Sequence, residues 1–189
     1  MTRLPRSFRV RLFLLGTPIL LSFAAVAMDR ARVESRVDAA VARYGVRGSN
    51  VLVAIMDRGI DWQNDDFRHP DGTTRIEFIY DLTDSSGANA PDNPFGRGTI
   101  YTRAQINDAL QSGTPLPTRD AVGHGTTTAG IACSGGRHSA IHRGIAPTAR
   151  LIVVKITSDG APAHDDEPEE APFFDINLIP VAMDFVQAK

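Results

Sequence analysis

"NVLVAIMDRGID", residues 50–61, joins an unbroken apolar run to a carboxylate. The run is rich in β-branched residues and short, so it reads as a buried strand of a parallel sheet. Asp57 then stands at the strand's carboxyl end, where open α/β sheets keep their sites. A second run, "RLIVVKI" at 150–156, has the same character. Between the two runs lie a third probable strand, Arg75 to Tyr80, and "TRAQINDALQSG" at 102–113, which reads as a short helix. Thr102 is its expected cap, with Gln105 three residues on. Strands alternating with helices predict an α/β layered fold with a mainly parallel sheet.

The bulk numbers fit one domain. The chain has 189 residues, 42% hydrophobic and 22% charged, enough for a real core and unlike a disordered chain. Its net charge of −2 gives no global basic field, and nucleic acid is not expected as a partner.

The first residues stand apart. Arg3, Arg6, Arg9 and Arg11 precede the apolar run Leu12–Ala27, which ends in Ala25-Val26-Ala27. Basic residues, a short apolar run and a small-x-small end predict a secretory signal peptide over 1–27. The run is short for a membrane span and holds Gly16, Thr17 and Pro18, so no stable span is expected after cleavage. Cleavage takes four Arg and no acid from a chain of charge −2, leaving −6. The expected location is secreted or periplasmic. Residues 28–45 carry Val33, Val37, Ala40, Val41 and Tyr44 at helical spacing. Segment 28–47 is therefore expected to be a propeptide remnant or the first helix of the domain, with the domain itself over 48–189.

"DAVGHGTTTAG", 120–130, sets His124 between two glycines, 67 residues after Asp57. Glycine lets backbone or substrate come close. Small residues after the histidine suit a tightly packed helix. An acid and a histidine at one sheet edge are two parts of a relay in which the carboxylate orients the imidazole and the imidazole takes a proton from a hydroxyl. Gly125 to Gly130 has the spacing of a phosphate loop, but Ile131-Ala132 stands where Lys-Ser/Thr is needed, so nucleotide binding is rejected. Cys133, the single cysteine, has no internal partner and reads as a small buried side chain. Trp62 reads as packing, His138 and His142 as surface residues, and the acidic run 163–170 as a solvated loop. "FFDINLIPVAMDFVQAK", 173–189, resumes helical spacing, with Pro180 marking the first turn.

Taken together, "VLVAIMDRGID" (51–61), "GHGTTTAGIA" (123–132) and "GIAPTARLIVVKI" (144–156) resemble the subtilisin-like serine proteases, or subtilases. The resemblance implies a three-layer fold with a mainly parallel sheet, Asp57 as the catalytic aspartate that orients the histidine, His124 as general base and a polypeptide substrate. It runs from about residue 48 to 189. Arg58 replaces the family's usual Ser/Thr, and Thr127-Thr128 its usual His-Val. The family's Gly-Thr-Ser nucleophile motif and its oxyanion asparagine have no counterpart here; Ser134, Ser139 and Ser158 lie in polar stretches. The expected fold is therefore incomplete at the carboxyl end, with an exposed apolar sheet edge. Two readings of activity follow: a serine endopeptidase whose serine lies outside this chain, in a separate carboxyl half if one is made, or an inactive exported module that binds peptide or a partner. No cofactor is required for the chemistry. The resemblance also aligns Asp66 with an acid of a calcium site, although the loop 133–143 offers His and Arg in place of oxygen ligands.

Overall fold

The computed structural model describes residues 27–158 and 175–189. The expected leader, except Ala27, and the acidic run 163–170 lie outside them. Among the described residues, strands β1 (Leu52–Asp57), β2 (Ile76–Asp81), β3 (Thr99–Thr102) and β4 (Arg150–Lys155) form one sheet in the order β1-β4-β2-β3. β4 runs parallel to both β1 and β2, and β3 runs antiparallel to β2. The α/β class and the mostly parallel sheet are as the sequence predicts.

β4 is central, and its alternation divides the core. Leu151 and Val153 face one apolar cluster with Ile55, Ile76, Ile79, Ile106 and Ala129. Ile152 and Val154 face the other, with Tyr80, Ala182 and Phe185. All four β4 side chains are fully buried, which explains an apolar run without alternation. Burying each is worth roughly 1.5–3 kcal/mol. Helices α3 (Arg103–Ser112) and α4 (His124–Cys133) contribute to the first layer, and α5 (Leu178–Gln187) covers the second. Phe185 anchors α5, with its ring 4.6 Å from Tyr80 and edge-on to Phe78 at 6.0 Å. Such pairs add about 0.5–1.5 kcal/mol to the area they bury.

Two expectations need correction, and one strand goes beyond the prediction. β1 is not fully buried: it is an edge strand, with Val51, Leu52 and Met56 exposed by 47%, 36% and 36%. The reason is that α5 packs over β4 and β2, and among the described residues one face of β1 is left open. Residues 28–45 are not one helix. α1 (Ala27–Glu34) and α2 (Val37–Tyr44) are separated by Arg36, whose φ of 59° is left-handed. At this corner buried Arg32 donates to Asp38 at 3.1 Å and to the Arg143 carbonyl at 2.8 Å. β3 is a strand that no sequence pattern predicts; Gly98, at a φ of 64°, leads straight into it. As expected, Pro180 sits in the first turn of α5, which begins two residues ahead of it at Leu178. There the missing N–H costs nothing.

The helix at Arg103 forms as predicted. Thr102 and Gln105 make a reciprocal capping box, with the Thr102 N–H donating to Gln105 Oε1 at 2.8 Å. Gly113, in left-handed conformation, ends it.

Candidate active site

Three parallel strands end in step. Asp57 of β1 pairs with Lys155 of β4, and Lys155 pairs with Asp81 of β2. A row of charged residues thus crosses the carboxyl edge of the sheet. Lys155 is buried and donates to the Arg119 carbonyl at 2.8 Å. Asp81 accepts from the Thr118 hydroxyl at 2.7 Å and from Thr83. These two side chains tie the loop before α4 to the sheet. Trp62 holds the same loop, donating its indole N–H to the Thr118 carbonyl at 3.1 Å, and it is buried as expected.

α4 is aimed at Asp57. His124 is its first residue, and its Nδ1 lies 2.7 Å from Asp57 Oδ1. The same oxygen accepts the Arg58 N–H at 2.7 Å. An ionised carboxylate only accepts, so this geometry puts the proton on Nδ1 and leaves Nε2 with a free lone pair. Asp57 is 11% exposed and His124 69%. The carboxylate is sheltered while the imidazole faces solvent, which suits an orienting group and a reacting group.

The glycines around His124 have separate reasons. Gly123 caps the helix at a φ of 78°, a conformation that disfavours a side chain. A Cβ on Gly125 would stand 2.1 Å from the Gly59 carbonyl oxygen and 3.2 Å from Asp57 Cβ. Only glycine lets α4 come this close to β1. The threonines are equally specific. Thr126 donates to Asp120 Oδ2 at 2.7 Å and accepts the Asp61 N–H at 2.8 Å. Thr127 and Thr128 bond back to the carbonyls of Gly123 and His124. The Thr127-Thr128 pair is thus accommodated within the helix itself.

Asp120 is a positioning residue that sequence reasoning quoted without a role. It accepts from Gly123 N–H at 2.9 Å, Thr126 N–H at 2.8 Å and the Thr126 hydroxyl. Its carboxylate satisfies the open N–H groups of α4 and sits well in the helix dipole. The available signal was an acid three residues before a Gly-His helix start. Asp81 and Lys155 were missed as well, although each follows an apolar strand.

Asp66 lies elsewhere, beyond the far end of α4. Its carboxylate accepts the Ser134 hydroxyl at 2.9 Å and the Arg137 N–H at 2.6 Å. Its carbonyl accepts from the buried Arg75 guanidinium. Calcium needs six to eight oxygen ligands, and here N–H donors and a buried cation crowd the acid, so the residues present do not fit the ion. Among the described residues no cluster of three or more His, Cys, Asp or Glu could hold a metal. Burial pushes the Cys133 thiol above its ordinary pKa, with the Arg75 charge opposing. His138 and His142 are exposed.

Residues 48–169 match the peptidase S8 model, described as the subtilase family. Among solved structures the chain is similar to the CspB protease of Clostridium perfringens, with a TM-score of 0.65 and 29% identity. The likeness covers 84% of this chain and 30% of that protease, so the chain spans less than a third of its length. A search of curated proteins returned no match. Among the described residues no helix is long and apolar enough to cross a membrane.

Proposed function

The chain belongs to the subtilase family, and on that premise we propose that it supplies the acid–histidine part of a serine endopeptidase site. The observation that carries this reading is the 2.7 Å contact between sheltered Asp57 and exposed His124 at the sheet's carboxyl edge. Asp57 holds the Nδ1 proton and stabilises the imidazolium. His124 Nε2 takes the proton of a serine hydroxyl as its oxygen attacks the peptide carbonyl carbon, then gives it to the leaving amine nitrogen. Ser134 is not that serine: it is buried and donates to Asp66, and its position at the C-terminal end of α4 is remote from His124.

The substrate is a polypeptide, and the protein works after export, in the medium or the periplasm. A second reading rests on the open β1 edge. Exposed Val51, Leu52 and Met56 favour a chain that receives further polypeptide there, whether a carboxyl half or a bound partner.

The 189-residue chain alone should leave casein uncut and take up no fluorophosphonate. Joined to a segment bearing a Gly-Thr-Ser motif, it should cleave casein. In that assembly His124→Ala should lower kcat by about 10⁶, the figure known for a subtilisin, itself a member of this family. Casein cleavage that survives His124→Ala would remove the histidine from the mechanism. A folded assembly that binds peptide without cutting it would favour the second reading.

A further inference from the structure

The end of the sheet away from Asp57 and His124 holds a cleft of about 490 Å³. Arg47, Arg68, His69, Arg75, Arg137 and Arg143 line it, and no carboxylate does. Five guanidinium groups share this space in a chain whose net charge is −2.

Their charges are poorly compensated. Arg68 pairs with Asp65 at 3.0 Å. Arg75 is 2% exposed, and its guanidinium donates to the carbonyls of Ala149, Cys133 and Asp66. Carbonyls satisfy N–H groups without neutralising the charge. The Asp66 carboxylate is nearby but is engaged by Ser134 and the Arg137 backbone. Asp71 stands next to His69 and bonds Thr73. No hydrogen bond or ion pair among the described residues engages the side chains of Arg47 and Arg143. Moreover, the Nε atoms of Arg68 and Arg75 are buried without a hydrogen-bond partner among the described residues. A buried donor left unmade costs about 1–3 kcal/mol, and like charges gathered in one cleft add repulsion. An anion would remove both costs.

We propose that this cleft binds a small polyanion carrying two or more phosphate groups. The guanidinium fork matches phosphate bidentately, and the charged side chains of the lining are all arginines. The volume exceeds that of one oxyanion and falls in the range of small-molecule sites, roughly 300–1,000 Å³. The cations also come from separate segments, ahead of β1, after Phe67, at the start of β2 and after α4, so they can grip more than one group. The ten-residue α4 separates the cleft from His124 by about 15 Å. The site is therefore independent of the peptidase reading and stands or falls without it.

Calorimetric titration of the full chain with tripolyphosphate at about 50 mM salt tests this. One-site binding is expected. Arg47→Glu with Arg143→Glu should weaken it at least tenfold, since neither side chain holds the fold together. Arg43→Glu with Lys189→Glu, an equal charge change away from the cleft, should leave it within twofold. Citrate should bind at least tenfold more weakly than tripolyphosphate. No heat at low salt, or equal loss in both double variants, would overturn the site. Citrate binding as tightly would overturn the phosphate assignment. Far-UV circular dichroism checks each variant, and Arg143→Gln alone, expected to weaken binding severalfold, replaces the double variant if that unfolds.

Discussion

Gly125 carries the tightest steric constraint beside the proposed pair. Gly125→Ala would place a methyl group 2.1 Å from the Gly59 carbonyl oxygen, a backbone atom that cannot rotate away. α4 must then back off from β1, and overpacking of this kind costs about 3 kcal/mol. Urea melts should show it as a lower midpoint at unchanged slope; an unchanged midpoint would mean that α4 does not pack as described. Cys133 gives a pH prediction at the same scale. Burial raises its folded pKa, whereas the unfolded thiol ionises near pH 8.5. Above that pH the unfolded chain loses a proton that the folded chain keeps, so stability should fall as pH rises and hold below it. In native protein at pH 8 the thiol should resist a disulfide reagent, and it should react at once in denaturant. Rapid native labelling would contradict the burial.

At the scale of elements, α4 depends on a residue outside it. Asp120 satisfies two N–H groups and one hydroxyl at the start of α4, and through Thr126 it reaches Asp61. Asp120→Ala should cost about 1–2 kcal/mol. It should also shift the histidine ring resonances in NMR spectra, because the helix start that carries His124 loosens. A stability loss without any change at His124 would make Asp120 a cap only. Much at this scale was legible beforehand. β4 showed itself as an apolar run, and Thr102 and Gln105 announced the capping box, because both are local patterns. The α1–α2 corner was not legible, since it is fixed by Arg32 reaching Arg143, 111 residues away. β3 was hidden for a related reason: four residues after a glycine-rich loop become a strand only because β2 offers them an edge.

At the scale of the whole molecule the side of β1 that is unpaired among the described residues matters most. A strand edge with Val51, Leu52 and Met56 exposed is a template for further pairing. The purified chain should self-associate as concentration rises, and Val51→Lys should suppress this while leaving the melting midpoint within about 0.5 kcal/mol of equivalent stability. Light scattering after gel filtration reads the outcome; a strict monomer at high concentration would show that the edge is protected. The arginine cleft lies at the opposite end of the sheet from the proposed pair, so ligand effects at one end are separable from chemistry at the other.

The sequence by itself determined the α/β class and the subtilase family, and it singled out Asp57 and His124. These rest on short patterns: an apolar strand ended by Asp57, and His124 set between glycines. Only the tertiary structure decided that β1 is an edge, that Asp66 lies among N–H donors and a buried guanidinium, and that five arginines from distant segments share one cleft. The physical reason is the same each time. Local patterns report what a segment must bury or cap, whereas charge balance and edge exposure depend on which segments the fold brings together.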